Sequence, residues 1–175
     1  MSLLRLFTSE SVCAGHPDKI CDQISDAIVD EILAQDPNGR AAIETLVTAD
    51  QVVLAGEVNT TAELDVVALA RDQIRRLGYT DPAFRFSDRS AVLALIHRQS
   101  PQIARGVDRD GAGDQGMMFG YACRETDQLM PLPIMLAHQL ARGIDSARES
   151  ATLEYLRPDG KTQVTVGYRD GQPAS

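Results

Sequence analysis

The residues GHPDK at 15–19 bring an imidazole, a carboxylate and an ammonium together around a proline. A polyphosphate with its metal would use all three. His16 can donate to a phosphoryl or leaving oxygen, Asp18 can hold Mg2+ that phosphate oxygens also ligate, and Lys19 adds a compact point charge. The same five residues also make an ordinary helix start with an acidic first turn. A second stretch, GAGDQG at 111–116, has three glycines in six residues, so backbone can approach a ligand while Asp114 offers a carboxylate. It matches neither GxGxxG nor the P-loop pattern, and a tight turn would explain it equally well. Glu44 and Glu57 each lie in an apolar run on strands of one hairpin. A buried carboxylate there must be paired or bound to a cation, unless it faces solvent. Gln99 opens a polar segment, and Asp159 and Lys161 occupy a turn.

Composition narrows the ligand. At 175 residues and 43% apolar content, the chain can form one domain, or one domain and part of another. A formal charge of −8 counts against general nucleic-acid binding, so an anionic ligand needs locally concentrated cations. Among 17 basic residues the only lysines are Lys19 and Lys161. A GC-rich genome produces such an arginine bias, but lysine is also well suited to phosphate. No apolar run is long enough to cross a bilayer, and the N-terminus lacks a signal-peptide pattern. Cys13, Cys21 and Cys123 have no metal-ligand spacing, and their odd number argues against a disulfide framework. A cytoplasmic location is expected. His97 and His138 read as structural or exposed, and Met117, Met118, Met130 and Met135 as core residues.

The elements that must position these groups are legible in part. Residues 3–7 predict a short strand. Ile20, Ile24, Ile28 and Ile32 form one helical stripe, with Pro17 suited to the first turn and Asp-Pro-Asn-Gly at 36–39 ending the helix. Residues 41–48 and 52–58 predict a strand pair joined near Asp50 and Gln51. A helix follows over 64–77, closed at Gly78, and then a strand over 90–97. Residues 99–116 are too polar and glycine-rich for a core element. Strand character resumes at 117–124, a helix at 132–148, and two strands flank the turn at 158–161, with another turn at 169–171. The pattern is α+β. A last strand without its partner makes the sequence look cut short.

Taken in order, LFTSESVCAGHPDKICDQISDAIVDEIL, IETLV, AGEVNTTA, RQSPQIARGVD, GAGDQGMMFGYACRETDQLMPLPIMLAHQLA and LRPDGKTQVTV closely resemble the S-adenosylmethionine synthetase (methionine adenosyltransferase) family, over residues 6–171. The resemblance implies repeated β/α domains, one complete at 1–100 and one incomplete at 112–175, with a flexible active-site loop at 101–111. It implies synthesis of S-adenosylmethionine from ATP and L-methionine, and it assigns roles by position. His16 and Lys19 are the catalytic polyphosphate contacts. Asp114, Asp159, Gly160 and Lys161 join them around ATP. Glu57, Gln99 and Asp114 contact methionine. Asp18 holds Mg2+, of which the family uses about two per site, and Glu44 holds K+.

The family's chains are about twice as long, and their sites lie between subunits. The implied partners are therefore a second copy, as a dimer or dimer of dimers, or a complementary C-terminal half; neither nucleic acid nor membrane is expected. The alternative is a non-catalytic binding or regulatory subunit associating with a synthetase. One departure stands out. Between Val107-Asp108 and the glycine motif the sequence is several residues shorter than the common bacterial form, which predicts a lid that closes less completely.

Overall fold

The computed structural model describes residues 3–98 and 116–175. Gln99, Asp114, the loop at 101–111 and most of the GAGDQG motif lie outside the described residues. Two compact units emerge. One is continuous, Pro17–Met118; the other is composite, Met1–His16 with Phe119–Ser175.

The continuous unit is built on helix α1 (Pro17–Gln35) and the strands β2 (Arg40–Thr48) and β3 (Gln51–Asn59). Helix α2 (Val66–Arg76) then leads to β4 (Ala91–Arg98), giving the sheet order β2-β3-β4. The first pair is antiparallel and closes tightly through Asp50, whose φ of 58° suits a two-residue turn. The second pair is parallel, so a crossover is required, and α2 supplies it. All four predicted isoleucines of α1 are at most 1% exposed and share one core with Ile43, Val52 and Leu54. Burial of each contributes about 1.5–3 kcal/mol. Asp36, at the predicted helix stop, accepts from Thr60 Oγ1 at 2.9 Å and from the Thr61 amide at 2.8 Å, tying the end of α1 to the chain after β3. These bonds, the Thr61 amide foremost, hold its carboxyl below the ordinary range.

In the composite unit, β1 (Arg5–Val12) pairs antiparallel with β5 (Lys161–Arg169), and β6 (Gln172–Pro173) follows on the far side of β5. Helix α3 (Leu132–Glu149) packs on β1 and β5. The helix has no side-chain cap at Pro131; Glu125 takes over by accepting from the Leu132 amide at 3.0 Å and from the Tyr168 hydroxyl at 2.7 Å. Burial and that carboxylate push the Tyr168 phenol up to about 12.

Four expectations need correction. The N-terminal strand runs longer than 3–7, and it pairs with β5 in the composite unit rather than with the strands that follow it in sequence. Residues 117–124 form no strand, and Met117 and Met118 are exposed, because no strand among the described residues pairs with this stretch. The residues before Pro158 turn rather than extend, so β5 takes β1, not a hairpin arm, as its partner. Residues after the turn at 169–171 do pair back, with Gly167 donating to the Ser175 carbonyl at 2.6 Å.

Ile24→Ala is expected to lower the stability of the continuous unit by ~2–5 kcal/mol, because the cavity at a fully buried site cannot collapse completely. Asp30→Ala on the exposed face of α1 should change it by less than ~0.5 kcal/mol. Urea unfolding followed by circular dichroism of both variants checks the contrast.

Candidate functional site

Gly15 and His16 of the first sequence motif meet the 158–161 turn within the composite unit. β1 ends at Val12, and the chain turns through Cys13, Ala14 and Gly15 to His16. The Cys13 amide donates to the Gly160 carbonyl at 2.8 Å, and the His16 amide donates back to the Cys13 carbonyl at 3.1 Å. Gly15 is buried against Pro158. A Cβ on Gly15 would sit 2.4 Å from the Pro158 carbonyl oxygen, so only glycine lets the two turns approach this closely. Gly160 in turn has no room for a side chain above the Cys13 sulfur, which a Cβ would meet at 2.7 Å. The turn carrying half-buried His16 thus lies against the turn carrying half-buried Gly160 and exposed Asp159 and Lys161. Cys13 itself is inert packing: burial, and then the charges of Asp145 and Asp159, push its thiol up from the ordinary value.

Beyond that contact the β1–β5 register creates a polar ladder. Val12 faces Lys161, Glu10 faces Gln163, and Thr8 faces Thr165. Lys161 Nζ lies 2.5 Å from Glu10 Oε2, Gln163 Nε2 donates to Glu10 Oε1 at 2.9 Å, and the two threonine hydroxyls are 2.9 Å apart. Glu10 was not among the residues singled out from sequence. Its signal was strand alternation, which puts it beside the cation once the register with β5 is known. Lys161, foremost, and Gln163 hold the Glu10 carboxyl below its ordinary value.

In the continuous unit, Pro17 opens α1 as expected, and Asp18 and Lys19 are exposed in its first turn. Lys19 Nζ is 3.8 Å from Asp22, a weak surface pair. An ammonium at a helix N-terminus opposes the helix dipole, so this placement gains nothing for the fold. An anion bound there would satisfy both the dipole and the lysine. Glu44 and Glu57 project from the face of the β2-β3-β4 sheet that α1 and α2 leave uncovered. Glu44 pairs in register with Ala55, and Glu57 lies between Ala42 and His97. Glu44 is exposed and Glu57 half-buried, so Glu44 takes the solvent-side alternative. Gly56, at φ 146°, has its Cα close to the Ala42 carbonyl and fixes the backbone that carries Glu57. Beside them this face carries an apolar patch: Leu46, Leu93 and Leu95 are 57%, 45% and 45% exposed.

Among the described residues no three His, Cys, Asp or Glu side chains cluster as a metal site. A lone carboxylate such as Asp18 still fits Mg2+ in the mode where phosphates and water complete the octahedron. Glu44 offers one hard oxygen donor of the kind K+ accepts. No helix among the described residues is long and apolar enough to cross a membrane.

Comparison with known proteins bears on the whole chain. Residues 4–101 match the N-terminal domain of S-adenosylmethionine synthetase, and residues 109–175 match its central domain. S-adenosylmethionine synthase of Wolinella succinogenes is 56% identical over 173 residues, covering 96% of this chain and 45% of its own length. The synthase of Thermosynechococcus vestitus is 54% identical over 184 residues, covering 96% and 44%. That of Maridesulfovibrio salexigens is 55% identical over 173 residues, covering 95% and 44%. The chain therefore spans less than half the length of these relatives.

The Glu10–Lys161 pair makes a prediction with a definite sign. A depressed carboxyl contributes stability that is present above its unfolded value and lost as pH falls through the folded one. Carbon-detected NMR should therefore find Glu10 titrating at lower pH than an isolated glutamate, and Lys161→Met should move it back up toward the ordinary glutamate range. An unchanged Glu10 midpoint in that variant would remove the pairing.

Proposed function

Because the chain belongs to the S-adenosylmethionine synthetase family, we propose that it supplies the N-terminal part of a site making S-adenosylmethionine from ATP and L-methionine. The observation that carries this reading is the seating of the His16 turn on the 158–160 turn, through the Cys13–Gly160 hydrogen bond and the bare face of Gly15. Two motifs far apart in sequence, each suited to phosphate, are thereby joined by backbone contact.

In the proposed reaction the methionine sulfur attacks C5′ of ATP and the whole triphosphate departs. A C–S bond forms, a C–O bond breaks, and the sulfur becomes a sulfonium. Water then cleaves the triphosphate to diphosphate and phosphate. Sulfur needs no general base, so the demands on the protein are alignment and neutralisation of leaving-group charge. His16, Lys19 and Lys161 serve that neutralisation, with Asp159 and Gly160 in the same ATP contact. Glu57 and Gln99 orient methionine, and Asp114 lies at both substrates. Asp18 would hold Mg2+ and Glu44 K+; bound Mg2+ would add positive charge to the phosphate oxygens. Lys161 reaches the substrate by exchanging Glu10 for phosphate, a swap that keeps the ammonium paired in both states.

Assembly follows from the outer sheet face of the continuous unit. Leu46, Val53, Leu93 and Leu95 make an apolar patch with Glu44 and Glu57 at its side, of the kind that pairs with a second copy. The remaining functional groups would come from a second subunit or a complementary C-terminal half.

Two measurements test the proposal. The chain alone should release no triphosphate-derived phosphate in a methionine-dependent way, whereas adding the C-terminal portion of a relative should restore release. Lys161→Met and His16→Ala should then each lower the restored rate by ~10²–10³. Turnover by the isolated chain would refute the incomplete site, and no turnover in the complemented sample would refute the function. Leu93→Glu with Leu95→Glu should shift the chain toward monomer in sedimentation equilibrium; an unchanged mass would exclude that face.

A further inference from the structure

Helix α3 holds the end of β1 and the start of β5 with one contact per turn. Thr162 Oγ1 donates to the Ala137 carbonyl at 2.8 Å, the Cys13 thiol donates to the Ala141 carbonyl at 3.6 Å, and the Ala14 amide donates to Asp145 Oδ2 at 2.9 Å. Ala137, Ala141 and Asp145 are successive positions on one stripe of the helix. At the first two the helix contributes only its backbone, so replacing those side chains would not remove the acceptor. Asp145 alone holds its partner with a side chain. Its second oxygen, Oδ1, is buried with no hydrogen-bond partner among the described residues, as is Nε of Arg148 one turn further on. Asp145 is half-buried as a residue, and a carboxylate oxygen left buried and idle is costly where only packing is at stake. It holds the Ala14 amide, next to the Cys13 amide that Gly160 holds, on the stretch of backbone leading into His16.

We propose that Asp145 is a positioning residue. By accepting from the Ala14 amide, it sets the 13–16 turn against the 158–160 turn, so that His16 and Lys161 are offered to a polyphosphate as one preformed pair. The two hydrogen bonds on adjacent amides go to different partners: Cys13 donates to the Gly160 carbonyl and Ala14 to Asp145 of α3. Together they fix the peptide plane between them, leaving the backbone ahead of His16 little freedom. This inference rests on the reading of His16 and Lys161 as polyphosphate contacts.

The test uses the full chain labelled with nitrogen-15 and inorganic triphosphate with Mg2+ as the probe. Asp145→Ala is expected to speed hydrogen exchange at the Ala14 amide and to weaken triphosphate binding by calorimetry, each about tenfold. Asp145→Asn keeps a carbonyl oxygen for Ala14 and should recover most of both effects, and it serves where the alanine variant does not fold. Exchange in α1 at Ile24, which reports general stability of the continuous unit, should not change. Unaltered triphosphate affinity in Asp145→Ala would overturn the positioning role while leaving the polyphosphate reading intact. So would an asparagine variant that protects Ala14 but binds as weakly as alanine. If the unsubstituted chain binds no triphosphate, the polyphosphate reading itself fails and the positioning role falls with it.

Discussion

Everything proposed for the phosphate end of the site depends on two turns touching backbone to backbone. The contact between 13–16 and 158–160 exists because Gly15 and Gly160 carry no side chains at the points of closest approach. A hydrogen bond from Cys13 to Gly160 then fixes the distance. Backbone contact of this kind is insensitive to rotamer choice, and it converts two weak local signals into one stiff platform. The surrounding residues serve that platform. The Cys13 side chain fills the space beneath Gly160, α3 backs both strands, and Glu125 secures the start of α3 to Tyr168.

The chemistry of the platform is set by a simple electrostatic exchange. Lys161 is one of only two lysines in the chain, and it is paired with Glu10 on the neighbouring strand. Both side chains are about half exposed, so the pair is held loosely enough for an anion to compete. Glu10 keeps the ammonium oriented along the ladder without burying it. The helix start at Pro17 presents the second lysine against its own dipole, offset only by a weak surface pair with Asp22, so a negatively charged ligand there would be favoured. Both lysines keep half-exposed ammonium groups, each paired with a surface carboxylate that an anion could replace.

Local pattern disclosed the continuous unit well, and the reasons are physical. The Ile20–Ile32 stripe, the Pro17 start, the stop at Asp36 and the hairpin around Asp50 each follow from short-range periodicity or turn chemistry. The composite unit was harder to read because its sheet joins residues 5–12 to 161–169, a pairing that no local signal encodes. For the same reason 117–124 looked like a strand. Those residues have the apolar composition of one, but no strand among the described residues pairs with them. Glu10 and Asp145 were missed for a related reason. One lies in an ordinary alternating strand and the other in an ordinary polar helix turn, and each acquires its role only from a partner more than a hundred residues away. Gln99 and Asp114, read from sequence as substrate contacts, lie outside the described residues, so their roles rest on the family resemblance.

The two units also divide the work by the kind of surface they build. The composite unit buries little beyond Cys13, Ala137, Ala141, Pro133 and Val166, and it invests in backbone contacts and polar pairs that hold a charged ligand's groups in place. The continuous unit has a deep isoleucine core on one side of its sheet, which frees the opposite face to be apolar and exposed without loss of the fold. Carboxylates on such a face, Glu44 and Glu57, would be costly in a monomer only if something covered them. A second copy laid on Leu46, Leu93 and Leu95 would bring them into a low-dielectric border where a cation or an ammonium group becomes their natural counterpart. In the proposed site, the burial that would close such a dimer would also strengthen the hold of Glu44 on potassium and of Glu57 on the amino group of methionine, so that association and binding would draw on one desolvated surface.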